Sequence, residues 1–302
     1  MGAVTYYLTE HPSIVGFRWG SALPWGSTWS SLAAALSVYL LLSLSLSASL
    51  SLLRRRRRPV PLGPVPLLHS LLMFLSSAAI LAGTAASARL EIRDTSWFWR
   101  RHKTPFQWLL CFPLGTRPSG RLFFWSYLFY LSRYLHLLKT FISILRRRRL
   151  TLSKLLYRSM EICTCFLWLE FSQSFQILAI VSSTLAGFVV NGYRLWVSVG
   201  LPGGCVPVVL GCRIVLYACN LVCSVGVLML HFKKGGCNGI GAWVFTSVLN
   251  GVLTLVFLNF CVRRHLKRRR SGRGGLGFDD DDCSVSVGRS TATSELDSKK
   301  DL

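Results

Sequence analysis

Apolar residues along this chain come in long runs, separated by short blocks of arginine, by proline-rich turns or by polar corners. Runs of about 20 apolar residues predict helices that can cross a bilayer. Seven are read: residues 29–53, 66–87, 122–145, 154–171, 177–193, 205–230 and 240–262. The expected fold class is therefore all-α, a multi-pass membrane protein with seven transmembrane helices. The first run alternates serine with leucine, which suits a helix whose hydroxyls bond back to its own carbonyls.

The segments between the runs divide the chain. Residues 1–28 hold Trp19 and Trp25 and read as a lumenal lead-in lying at the membrane interface. No basic stretch there precedes a short apolar core, so a cleaved signal peptide is not expected. Arg54 to Arg58 stop the first span, and four prolines from Pro59 to Pro66 make a stiff connector, because each ring fixes φ and removes a donor. Residues 89–103 are polar and charged and read as a loop on the membrane surface. The membrane domain runs over 29–262. Beyond it, 263–302 reads as a basic block followed by a disordered cytosolic tail rich in Gly, Ser and Asp.

Composition agrees with the pattern. Of 302 residues 51% are hydrophobic and only 16% charged, which a soluble domain of this size would not show. A net charge of +23 raises nucleic acid as a partner, but most of the arginine abuts apolar helices, so membrane lipid is the expected partner and no nucleic acid. Crossings must alternate sides. If 54–58 is cytosolic, seven spans also put 146–149, Arg194 and 263–270 there, with a lumenal N-terminus and a cytosolic C-terminus. Arg100, Arg101, Lys103, Arg117, Arg121, Lys233 and Lys234 fall on the other side. Neither zinc-type cysteine spacing nor a glycine-rich phosphate loop is present, so no metal or cofactor is expected. The last four residues, with Lys299 and Lys300, resemble a dilysine retrieval signal, which requires the cytosolic end that parity assigns.

Ionisable residues inside two of the runs mark the place to look for function, since polar groups in membrane helices face a bundle interior or a cavity. Arg133, His136 and Lys139 fall at i, i+3 and i+6 of the third run and share a helix face. Glu161 in the fourth run lies at a depth similar to that of Lys139, and the two are expected to pair. The alternative is a Lys139 that snorkels to the interface and a solvated Glu161. His69 is expected to bond to a backbone carbonyl or to sit at the interface. Cys163 and Cys165 read as small packing residues whose buried thiols are inert.

The run CFPLGTRPSGRLFFWSYLFYLSRYL from Cys111 closely resembles the segment leading into the third membrane helix of ELO-type fatty acid elongases, the plant members in particular. YYLTEHPSIVGFRW near the N-terminus, CFLWL from Cys165, and KKGGCNGIGAWVFTSVLNGVLTLVF near the end extend the resemblance over about residues 5 to 262. It implies an endoplasmic reticulum protein in which spans two to seven form a tunnel-like bundle and span one is peripheral. The implied activity is 3-ketoacyl-CoA synthesis from malonyl-CoA and a long-chain acyl-CoA. Implied partners are the reductases and dehydratase of elongation, and assembly as a homo- or heterodimer is left open. It also implies a disulfide between Cys111 and Cys237, against which stand two free thiols.

Position by position, the family's chemistry is missing. Its HxxHH box, which would supply nucleophilic and acid–base imidazoles, falls on Lys154, Tyr157 and Arg158. The KxxExxDT motif reads Arg133, His136, Lys139 and Thr140, the NSxxH type falls on Ser182, Ser183 and Ala186, and the glutamines of span six become Arg213 and Leu216. Arg133, Lys139, Thr140, Ser183 and Arg213 remain as candidate substrate-binding residues, and His136 as a candidate substitute base or nucleophile. The expectation is elongation with weak or lost catalysis, or else a non-enzymatic scaffold or regulator.

Overall fold

The computed structural model describes residues 3–23, 25–52, 63–98, 109–146, 152–199 and 206–271. All regular elements among them are helices. Two short ones, α1 (Ala3–Thr9) and α2 (Pro12–Val15), precede seven long ones: α3 (Trp29–Leu52), α4 (Val65–Phe98), α5 (Arg121–Leu145), α6 (Leu152–Glu170), α7 (Gln176–Ser198), α8 (Val206–Lys234) and α9 (Ile240–Ser271). Four stretches are long and apolar enough to cross a membrane: Trp29–Leu52, Val65–Arg93, Gln176–Val197 and Ile214–Lys233. Helices α5 and α6 are less apolar because Arg133, His136, Lys139, Arg158 and Glu161 lie within them.

Local chemistry sets most helix ends. Pro66 sits in the first turn of α4, where a missing N–H costs nothing, and the Leu68 N–H bonds to the Pro64 carbonyl at 2.9 Å. Gly120 precedes α5 at φ 89°, a left-handed conformation, and its N–H reaches the Phe17 carbonyl at 2.8 Å. Two helices outrun the apolar pattern. Helix α4 continues to Phe98, so residues 89–98 are not the surface loop expected, and α9 continues through the basic block to Ser271. Polarity takes a chain out of hydrocarbon without ending a helix; that needs a breaker, and Arg, Leu and Glu are good helix formers.

Packing closes a ring. Helix α4 meets α5, α5 meets α6, α6 meets α9, α9 meets α8, α8 meets α7, and α7 returns along α4. Helix α3 stands outside, against α5 and α6, where Tyr39 is buried and its hydroxyl shares a 3.0 Å hydrogen bond with Thr140. Gly83 of α4 allows close approach to α5, since a Cβ there would fall on the Trp125 ring.

The residues before α3 dock onto the bundle through aromatic side chains. Trp125 Nε1 donates to the Leu8 carbonyl, Tyr127 to that of Trp25 and Tyr130 to that of Gly26, at 2.9 to 3.0 Å. Trp19 donates to Glu170 Oε2 at 2.9 Å. Three connections meet at the same end. Cys111 and Cys237 are joined by a disulfide with Cα atoms 5.2 Å apart. Asn238 N–H donates to the Phe112 carbonyl at 3.0 Å, and Phe112 N–H to Ser174 Oγ at 3.0 Å. Ser172 and Phe175 in this corner have positive φ, and Gly239 at φ +69° sits so tightly that a Cβ would lie 2.7 Å from the Gln173 Cα.

Candidate functional site

The antiparallel pair α5 and α6 brings the ionisable residues together. Arg133 and His136 lie one turn apart on α5, Arg158 and Glu161 one turn apart on α6. Between them Glu161 is clamped: Arg133 Nη1 donates to its Oε1 at 2.6 Å and Arg158 Nη1 to its Oε2 at 2.8 Å. Arg158 Nη1 also stands 3.4 Å from His136 Nδ1. A carboxylate between two guanidiniums satisfies what burial would otherwise make costly, and each bond is charge-assisted.

The Glu161 partner seen on α5 is thus Arg133, six residues along from Lys139. Depth does not choose between the two. Arg133 lies twelve and Lys139 six residues before the end of α5, and Glu161 nine residues after the start of α6. Rotation chooses, because six residues turn Lys139 about 120° away from Arg133 around the helix. The three-residue spacing therefore keeps His136 beside Arg133 but carries Lys139 towards another face.

An aromatic path leads out of the cluster. The Arg133 guanidinium carbon lies 3.9 Å from the centre of the Phe129 ring, one turn earlier on α5. Phe129 is parallel to Trp168, with centroids 6.1 Å apart. Trp168 Nε1 donates to Thr246 Oγ1 at 3.0 Å, and that oxygen is 3.1 Å from Gln173 Oε1. Trp168 is seven residues after Glu161, two helical turns on the same face of α6. That spacing is the signal by which the sequence could have assigned it to the site, and it was missed because tryptophans in membrane helices read first as interface anchors.

The other candidates scatter. Tyr157 is half-buried on α6 with its ring 5.4 Å from the Arg158 guanidinium. Thr140 faces α3 through Tyr39. Ser183 is half-buried on α7. Lys154 and Arg213 lie on α6 and α8, but their side chains are outside the described residues, as are Lys299 and Lys300 entirely. His69 Nε2 donates to the Leu135 carbonyl at 3.0 Å, the backbone bond expected of it. Cys165 is buried and Cys163 half-buried, both with free thiols.

Chemically, the cluster offers donors. A guanidinium can only donate, so His136 Nδ1 accepts and its proton sits on Nε2. The lone pair that a base or nucleophile would use is directed at Arg158. Both oxygens of Glu161 are engaged as well. The arrangement can hold a carbonyl or an anion; it has no free imidazole lone pair beside a free acid.

The described residues thus form a ring of helices, with four stretches long and apolar enough to cross a membrane, a buried charge cluster between α5 and α6 and a disulfide across the loops at one end. The profile of the ELO family, described as the GNS1/SUR4 family, matches residues 24–273, and the chain belongs to that family. It is also similar to a protein of Arabidopsis thaliana called fatty acid elongase 3-like, 58% identical over 273 residues that make up 89% of this chain and 94% of the relative. No solved structure gives a significant match.

Proposed function

We propose that the chain serves very-long-chain fatty acid elongation in the endoplasmic reticulum membrane by holding acyl chains inside its helical ring, with weak or absent condensation of its own. Seven crossings, a lumenal disulfide end and a cytosolic C-terminus carrying Lys299 and Lys300 complete the reading. Membership of the ELO family and the similarity to a protein named as an elongase support the pathway.

The observation that carries the loss of catalysis is Arg158. It occupies a position of the family's histidine box, yet its guanidinium is tied to Glu161 at 2.8 Å and turned towards the only imidazole within the cluster. A guanidinium, protonated at all working pH values, can neither attack the acyl thioester as a neutral imidazole could nor hand a proton to the CoA thiolate that condensation expels as CO2 leaves malonyl-CoA. Such a protein would act through the acyl chain it holds and through the reductases and dehydratase with which it assembles.

The test is condensation by the purified protein, with long-chain acyl-CoA and labelled malonyl-CoA, followed by product analysis and intact mass. No 3-ketoacyl-CoA and no acyl adduct are expected from folded protein. Product that is lost in His136→Ala would overturn the reading and make His136 catalytic.

A further inference from the structure

The buried cluster does not balance. Two guanidiniums, Arg133 and Arg158, face one carboxylate, so the group carries an excess positive charge. Uncompensated charge in apolar surroundings is costly. Glu161 already meets a guanidinium at each oxygen, at 2.6 and 2.8 Å, and its single negative charge offsets only one of the two. Arg133, in contrast, has a donor to spare: the residue is 8% exposed and its Nε has no hydrogen-bond partner. Arg158 and Glu161 keep 20% and 19% of their side-chain surface accessible, so the cluster borders open space.

Depth limits what can fill the deficit. Glu161 lies nine residues into α6, about 14 Å from its start. A nucleotide's phosphates, multiply charged and strongly hydrated, would lose much of their hydration there. A head group joined directly to an apolar chain would not. Of such heads, a thioester or ester carbonyl can accept a hydrogen bond from Arg133 but leaves the excess charge in place. A carboxylate removes it, and its two oxygens match the planar guanidinium fork.

The geometry points to a free long-chain fatty acid as a ligand of this site, its carboxylate at the accessible edge of the Arg133 and Arg158 guanidiniums and its chain among the apolar residues of the ring. This rests on the reading that the ring holds acyl chains, and it names the acid, not the thioester, as the form held.

The test uses full-length protein in nanodiscs of zwitterionic lipid, with a labelled C18 fatty acid as probe. Its methyl ester, the corresponding acyl-CoA and malonyl-CoA serve as competitors. The acid should bind at least about tenfold more tightly than the ester, the scale of a hydrogen bond to a charged group. Arg133→Gln should abolish that preference, and Glu161→Gln, which enlarges the excess charge, should strengthen it. The two variants move in opposite directions, so general damage to the fold cannot imitate both. Equal binding of acid and ester, or displacement by malonyl-CoA but not by the unlabelled acid, would overturn the inference. Binding of acyl-CoA without the acid would overturn it too while leaving the proposed function standing; binding of no acyl ligand at all would remove both.

Discussion

The two ends of the α5–α6 pair are built on different physics. At the disulfide end, three connections are tied by a covalent bond, by backbone hydrogen bonds through Phe112, Ser174 and Asn238, and by aromatic side chains from α5 that hold the lead-in. These interactions are neutral and join segments far apart in sequence, and the same corner buries Gln173 Nε2 and both side-chain polar atoms of Gln176 without a hydrogen-bond partner. Midway along the same helices, three charges are held by one another with one left over. Replacing a buried ion cluster by well-packed apolar residues is often neutral or even stabilising, so stability alone is a weak reason to keep one. The difference lies in what is left over: the disulfide end leaves neutral polar atoms unpartnered, whereas the cluster leaves a net charge, which burial makes far more costly.

Breaking the cluster should have the largest effect. Glu161→Leu leaves two buried guanidiniums without their acid and should cost about 3–5 kcal/mol. Thermal unfolding in detergent would register this as a large loss of folded protein, and an unchanged melting temperature would mean that the guanidiniums reach water. The disulfide comes next. Cys111→Ser opens a bridge across a sequence separation of 126 residues and should cost about 2–4 kcal/mol, with the same loss on reduction of the parent and no further loss on reduction of the variant.

Smaller effects sharpen the contrast. Gly239→Ala puts a Cβ against the Gln173 backbone at positive φ and should cost about 2 kcal/mol, read as faster proteolysis of the loop joining α8 to α9. The smallest is Tyr39→Phe, which removes one hydrogen bond to Thr140 and should cost about 1 kcal/mol without altering ligand binding, because α3 stands outside the ring. A change in acyl-chain binding in that variant would show α3 to be part of the site.

Much of this was legible in the residues. Helix α6 was expected over 154–171 and is Leu152–Glu170, because an apolar run bounded by arginines at one end and a polar corner at the other leaves little choice. The end of α4 was not legible, since the change from apolar to polar after Ser87 marks an environment and not a helix boundary. Likewise Arg133, His136, Arg158 and Glu161 stood out as ionisable groups in apolar helices, yet which of them pair could not be read. Counting residues gives depth along a helix; the partner depends on how far each helix is turned about its own axis when it packs.

Hydrophobic run length and the placement of arginine by themselves determined that the chain is helical and suited to a membrane, and local spacing determined that Arg133 lies beside His136 and Arg158 beside Glu161. Only the tertiary structure decided that the runs close into a ring, that Glu161 joins Arg133 to Arg158, that Trp168 continues the path from Phe129, and that Thr140 turns outward to Tyr39. The reason is physical: periodicity is a property of one helix, whereas a clamp between helices exists only once packing has set their rotation and register against each other.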